Sequence, residues 1–479
     1  MRKLLRIVLV LFTTATFAQA GHIMQGVGAV NMSMGGAATA MPLDISGAMQ
    51  WNPATLTGFN GKILDFSIGA FSSSPELSSS IPAGMMWSAG DFGPGSPESP
   101  PVYGTTKDDR GLSPMPSIGF VWGKEDSKST FGVSAFGISG FGVTFPQESN
   151  LPMDANGNPN PSWDPTNSNP ISYPQNMNGF GHIESDYMLM QVSFSWSYEM
   201  VKGFSIGLQP NFNYASLELA PNPLSAPDFP ADMGGTGKGY PVSDKAAAIG
   251  YGGQIGLFYT SEGGFNIGVS YKTAQTFTDF KFSNTYLDGS EAPDVDFQMD
   301  YPEIFSLGLG YSTEVIDLAV DYRRVNYSCT EGFEAKGWTI AESGPMQGYP
   351  TGAVNGFGWN DVNILSAGVQ LNVVNKLPIR LGYTYSSNPI DSELAFFSIP
   401  ATAVIKNAFQ FGLGYDINDK VNINGVYHYG KSDGATSGNM LNPMMISPSN
   451  PYGAMPGTSV SYKMDTSMIM LGFSYNFAK

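Results

Sequence analysis

Arg380 alternates with Ile379 and Leu381 in an extended stretch, so its guanidinium projects from the polar face. There it either anchors a carboxylate through a charge-assisted pair or balances an acidic residue such as Asp65. Asp65 and His428 also fall on polar faces, yet no nucleophile is fixed beside them by spacing. A Ser-His-acid constellation therefore has no support. His22, His182 and His428 are widely separated and match no metal-ligand pattern, so no cofactor and no metal are expected. Cys329, in a long polar spacer, is the only cysteine, which excludes an internal disulfide framework. These residues point to a protein that binds and passes a solute rather than to an enzyme.

The elements that position them are strands. From Ser467 to Phe477, one face carries Ile469, Leu471, Phe473, Tyr475 and Phe477, and the other Met470, Gly472, Ser474 and Asn476. The same two-residue rhythm recurs in 14 segments, near 62–73, 115–124, 129–140, 184–198, 203–219, 246–259, 264–281, 302–312, 315–326, 360–372, 377–386, 405–416, 420–431 and 466–477. Short spacers such as Glu125–Lys128 and Thr313–Glu314 alternate with long polar ones such as 141–183 and 327–359. Short turns on one side and long loops on the other, with aromatics near strand ends, are the pattern of an outer-membrane β-barrel. A soluble sandwich also alternates apolar and polar faces but does not require interleaved spacer lengths. The predicted fold is all-β: a transmembrane antiparallel β-barrel of 14 strands, residues 62–479. Met153, Met440, Leu441, Met444 and Met445 supply an adaptable apolar surface on the long loops, or simply pack those loops together.

Arg2, Lys3 and Arg6, the apolar run Ile7–Phe12 and Ala18-Gln19-Ala20 read as a signal peptide over residues 1–20, leaving Gly21 as the mature N-terminus. The chain has 40 acidic against 23 basic residues, a formal charge of −17. With no basic stripe, a nucleic-acid partner is excluded. Outer-membrane lipids and lipopolysaccharide are the expected surroundings, the bacterial outer membrane the expected location and a monomer the expected state.

About 40 residues precede the first strand. They are rich in small residues, as in Val27–Ala38, where Gly35 and Gly36 permit close backbone approach, and they include Trp51-Asn52-Pro53-Ala54, a turn or cap signal. With these pieces, the late strand Pro378–Tyr385 and the terminal strand, the chain resembles the FadL/OmpP1/TodX family of outer-membrane transporters for long-chain fatty acids and aromatic hydrocarbons. The resemblance covers essentially the whole mature chain. It implies that residues 21–61 form an N-terminal hatch inside the lumen, with Asn52, Pro53 and Ala54 in a motif near the barrel wall. It implies that substrate binds first between outer loops and then in a pocket beside the hatch. Ile23, Met24, Val27 and Val30 are the expected apolar contacts. It further implies a kinked third strand, here Gly140-Phe141-Gly142, and a sideways exit opened by movement of the hatch N-terminus. Ala478 and Lys479 extend beyond Phe477, where such strands commonly end on the aromatic.

The expected function is passive uptake of hydrophobic small molecules, most specifically long-chain fatty acids, through a hatch-gated pocket with lateral exit. A general diffusion porin, or a structural or adhesive surface protein, is the alternative.

Overall fold

The computed structural model of the chain describes residues 21–477, apart from 92–93, 124–126, 155, 231–234 and 345. The expected leader 1–20, Glu125 and Asp126 of the turn expected at Glu125–Lys128, and the extension Ala478-Lys479 lie outside the described residues.

Fourteen wall strands follow one another around the ring. They are β1 (Gly61–Ile81), β2 (Leu112–Gly123), β3 (Ser129–Phe145), β4 (Ile183–Val201), β5 (Phe204–Ala220), β6 (Ala246–Thr260) and β7 (Phe265–Lys272). After them come β8 (Ile304–Ser312), β9 (Ile316–Val325), β10 (Val362–Leu371), β11 (Ile379–Ser386), β12 (Ile405–Asn418), β13 (Val421–Ser432) and β14 (Ser459–Asn476). Each pairs antiparallel with the next, and β14 closes on β1 from Ile63↔Asn476 to Ser80↔Ser459. Closure removes sheet edges, which is the only way strands satisfy their backbone groups in hydrocarbon. Among the described residues no helix is long and apolar enough to cross a membrane.

The alternation expected from sequence is the alternation observed. Phe194, Phe212, Tyr251, Leu309, Leu413 and Leu471 stand exposed on the outside. Ser193, Gln209, Asn211 and Gln254 are buried inside, where Ser193 Oγ donates to Asn211 Oδ1 at 2.8 Å and Ser195 Oγ to Gln209 Oε1 at 2.6 Å. Rings such as Trp122 and Phe131, stacked at 5.8 Å, mark the short-turn rim.

All 14 strands occur where the pattern placed them, but several ends differ. β1, β3 and β14 run further on the long-loop side. There Val102–Lys107 and Thr436–Gly438 continue the ladders above the apolar band, with serine-rich stretches that carry no apolar alternation. β7 stops at Lys272 rather than 281. Past this interruption the chain runs on along β6, where Thr276–Phe277 resumes the antiparallel pairing one residue out of register, and Phe280–Thr285 joins a small loop sheet.

Inside the ring lie residues 21–58. Helix α1 (Ala29–Ser33) follows Gly28, whose φ of 78° suits glycine. Helix α2 (Ile45–Trp51) is capped by Asp44, which accepts from Gly47 N at 3.0 Å. This segment touches the wall backbone to backbone. A Cβ on Gly207, Gly256, Gly268, Gly308, Gly368 or Gly382, on six different strands, would come within 3.0 Å of atoms of the inner segment or its wall anchor. Glycine at these inward positions makes room that a larger residue would take.

Gly268→Val sets a side chain against the Thr39 carbonyl. The barrel should still close, while the inner segment loses about 1–3 kcal/mol of docking from overpacking. Hydrogen exchange of amides 29–58 should rise several-fold, with the barrel still resistant to unfolding in detergent.

Candidate functional site

The Asn-Pro-Ala motif is a joint. Asn52 ends α2 by donating its N–H to Ala48 O at 3.0 Å. Its Oδ1 caps the turn Pro53–Gly58 by accepting from Ala54 N at 3.1 Å. Its Nδ2 donates to Thr39 O at 2.8 Å and to Leu257 O of β6 at 3.0 Å. One side chain thus ties two parts of the inner segment to the wall, with Pro53 at the first position of the turn.

A buried ion pair holds the other side. Asp321 Oδ2 on β9 accepts from Ala38 N at 2.8 Å, Thr39 N at 2.9 Å, Thr39 Oγ1 at 2.8 Å and Arg323 Nη2 at 2.5 Å. Arg323 also donates to Gly36 O at 2.6 Å and lies 3.7 Å from the Trp51 ring centroid. Sequence reasoning passed over this pair. Asp321-Tyr322-Arg323 places two opposite charges on one inward face, and that spacing was the available signal.

The first residues of the segment form an arm that completes the wall. β2 and β3 pair only over Ser117–Gly123 and Thr130–Phe136. Beyond Phe136, β3 leaves β2, and its register with β4 shifts between Gly137 and Ser139. The freed edge takes the arm instead: Met24 N donates to Ile138 O at 3.0 Å, and His22 O accepts from Gly140 N at 3.1 Å and Ser139 Oγ at 3.0 Å. The third strand therefore departs from the ladder beside the expected Gly140-Phe141-Gly142. On the facing edge β2 carries Pro114 and Pro116. Without amide hydrogens, both suit an unpaired edge, a signal the sequence offered and the strand count ignored.

The His22 side chain fills an aromatic box. Phe333 stacks on the imidazole at 4.8 Å, and Tyr327, Tyr187, Trp359, Tyr301 and Phe141 stand at 5.4, 5.8, 5.8, 5.9 and 6.3 Å. Tyr327 Oη and His22 Nδ1 share a hydrogen bond of 2.8 Å. His22 Nε2, Tyr187 Oη and Tyr301 Oη are buried without a partner. Such a box accepts a flat or slender apolar molecule and offers it a few polar tips.

Of the expected apolar contacts, Ile23 and Val27 pack in the main core cluster, and Ile23 bridges to Ser139. Met24 packs with Met32, Val426, Met468 and Met470. Val30 lies lower, on a polar cavity of about 490 Å³ at the short-turn end, with Asp44, Asp65, Arg380 and Asn424. Arg380 does point inward. Its Nε donates to Gln370 Oε1 at 2.6 Å and its Nη1 to Asn424 Oδ1 at 2.8 Å. It belongs to the short-turn cavity, whereas His22 belongs to the box on the long-loop side. His428 is buried and shares a hydrogen bond with Gln410 at 3.1 Å. Cys329 is exposed on a long loop.

Over the mouth, Phe180, Tyr240, Trp338, Phe396, Phe397 and Pro400 line an apolar seam with a cavity of only about 40 Å³. Burial raises the Tyr240 phenol above its ordinary pKa, and its hydroxyl donates to Gly352 O at 2.7 Å. Leu441 is buried with Trp338 and Phe397, while Met444 and Met445 remain exposed.

A sealed barrel with an apolar outer band, occupied by its own N-terminal segment, defines a plugged outer-membrane channel. A family model described as outer membrane protein transport protein (OMPP1/FadL/TodX) matches residues 173–478, and the chain belongs to that family, whose channels pass hydrophobic small molecules. Among solved structures, the Pseudomonas putida toluene transporter TodX is similar at a TM-score of 0.62 and 18% identity, covering 95% of this chain and 99% of that one. A Pseudomonas aeruginosa FadL homologue is similar at 0.65 and 13% identity, with 96% and 100% covered. The Ralstonia pickettii toluene transporter TbuX follows at 0.57 and 17%, with 95% and 99% covered. No curated protein sequence matches the chain.

Asp321→Ala strips Arg323 of its carboxylate and orphans two amides of the inner segment. The expected cost is about 3–5 kcal/mol, as for other broken buried pairs. It should appear as lost hydrogen-exchange protection at Ala38 and Thr39.

Proposed function

We propose that the chain carries hydrophobic small molecules passively across the outer membrane. They pass from the apolar seam between outer loops, through the aromatic box beside residues 21–28, to a sideways exit between β2 and β3. In this reading residues 1–20 are an export signal removed before assembly, residues 21–61 are the hatch and 62–479 the barrel. Residues 29–58 stay docked, and the arm 21–28 is the moving part. Ile23, Met24, Val27 and the Gly140-Phe141-Gly142 stretch flank the route. Val30 and Arg380 border its short-turn end, and Asn52, Pro53 and Ala54 hold the fixed part. The channel works as a monomer, with lipids against its apolar band and lipopolysaccharide at its outer rim.

The observation that carries this reading is that one residue fills the box and patches the wall. The His22 ring occupies the aromatic site while its carbonyl is held by Ser139 and Gly140 of β3. A ligand that takes the place of the ring also strips the patch from the break. Long-chain fatty acids and monoaromatic hydrocarbons both suit a narrow box of rings. The TodX and TbuX structures, described as toluene transporters, support the second class; the family resemblance supports both. A general porin needs an open aqueous lumen, which the docked segment fills.

In proteoliposomes, laurate and toluene should enter and sucrose should not. Removal of residues 21–28 should abolish this selectivity. Sugar passage without hydrophobe uptake speaks for a porin instead. The exit has its own test. Met115 Cε lies 3.7 Å from where a Cβ on Gly137 would be, across the break. Met115→Cys with Gly137→Cys, in a Cys329→Ser background and joined by a short bismaleimide, should stop uptake. Undiminished uptake after crosslinking refutes a sideways route there.

A further inference from the structure

Where β13, β14 and β1 rise above the apolar band, their outward face changes character. On β1 it reads Phe66, Ile68 and Ala70, then Ser72, Ser74 and Glu76. On β14 it reads Leu471 and Ile469, then Ser467, Asp465, Lys463 and Ser461. On β13 it reads Tyr427 and Tyr429, then Lys431. Strand register sets these residues in rows. Lys107 and Lys463 flank Glu76. One step further out stand Thr105, Ser78 and Ser461, and beyond them Tyr103, Ser80 and Ser459. The hydroxyls join across the strands: Ser78 Oγ and Thr105 Oγ1 share a hydrogen bond of 2.7 Å, and Ser80 Oγ and Ser459 Oγ one of 2.8 Å.

Charge sets this face apart. Lys107 and Lys463 divide the single Glu76 carboxylate between them, at 3.6 and 2.9 Å, and are 78% and 59% exposed. Lys431 lies opposite Asp465, is exposed, and makes no ion pair among the described residues. Three lysines therefore stand with two carboxylates on the wall of a chain whose formal charge is −17. Around β4 to β6 the balance is reversed. Glu184, Asp186 and Glu218 stand there against Arg110 and Lys245, and both cations are bound to Asp186. Exposed ion pairs are worth little, so an incoming anion takes Lys107 and Lys463 from Glu76 at small cost.

An occupant that fits the whole face is an amphiphile. Its acyl chains lie on Phe66, Ile68, Ile469 and Leu471, and its head group offers phosphate to the lysines and hydroxyls to the serines. From the level of Asp465 to that of Ser459 the polar face runs about 20 Å along the strand. That is deeper than the head of a phospholipid and suits an oligosaccharide.

We propose that the outer face of β13, β14, β1 and Val102–Lys107 is a docking site for lipopolysaccharide. Lys107, Lys431 and Lys463 hold its phosphates, and its inner sugars rest on the hydroxyl rows. The site depends on the barrel standing in the outer membrane and not on what the lumen carries.

The test uses the full mature chain in non-ionic detergent with EDTA, so that no divalent cation bridges carboxylate to phosphate. The probes are deep-rough lipopolysaccharide, the same glycolipid stripped of phosphate, and phosphatidylglycerol. Native mass spectrometry reads the bound fraction across a titration. The wild type should bind the phosphorylated glycolipid roughly tenfold or more tightly than the stripped one, the scale of a hydrogen bond to a charged group. Lys107→Gln, Lys431→Gln and Lys463→Gln together should erase that difference. Glu76→Gln, which frees two lysines, should tighten binding several-fold, a gain that a merely structural role does not produce. Lys202→Gln, at an exposed ion pair on the short-turn rim, should change nothing. Equal affinity for the two glycolipids overturns the proposal, as does a triple variant that still prefers the phosphorylated one. Phosphatidylglycerol bound as tightly through the same lysines overturns the assignment to a glycolipid. Should the triple variant fail to fold, the wild-type preference and the Glu76→Gln gain decide, and the absence of either defeats the site.

Discussion

An inner segment of about 40 residues can share a 14-strand lumen with a substrate only if it takes little room and stays put. Both conditions are met by contact between its backbone and the bare backbone of the wall. The inward glycines let Thr39, Asn52, Ala54, Met34 and Gly35 approach as no side chain would allow. That proximity brings the buried polar groups into reach. Asn52 bonds across to Leu257, and Asp321 gathers the amides of Ala38 and Thr39. Close approach without these bonds would bury orphaned backbone, and the bonds without the glycines would lack geometry.

This arrangement divides the inner segment. From Ala29 to Gly58 it is pinned by caps, glycine contacts and the ion pair. Before Gly28 it is held by three hydrogen bonds to β3, by Gln410 Nε2 donating to Gln25 Oε1 at 3.0 Å, and by the His22 ring among aromatics, where Nδ1 shares a 2.8 Å bond with Tyr327 Oη. Local stability differs accordingly, and moving elements come from the weakly held end.

The barrel was legible because its physics is periodic. Each strand shows lipid one face and the lumen the other, so Met188, Val192, Phe194 and Trp196 announced β4 without any contact information. Strand ends were less legible where serine-rich ladders rise above the apolar band, as in β1 beyond Ser73. The site was less legible still. The box draws Phe141, Tyr187, Tyr301, Tyr327, Phe333 and Trp359 from four separated stretches of chain, and nothing in their local spacing says that they converge. Arg380 was correctly placed inside, but its height in the lumen depends on strand stagger, which alternation does not encode. Pro114, Pro116 and the Asp321-Tyr322-Arg323 triplet were readable but carried meaning only once neighbouring strands were known.

In the proposed route, the three bonds that tie the arm to β3 also set a threshold for leakage. Each is worth about 0.5–1.5 kcal/mol net, so breaking these three costs a few kcal/mol. Burying roughly 200 Å² of apolar surface among the rings returns about 5 kcal/mol. A greasy molecule therefore funds its own passage, and a hydrated one such as a sugar brings nothing to spend. The outer membrane can thus carry an opening for oils while remaining closed to water-soluble toxins, with no fuel and no sensor beyond the difference in wetting.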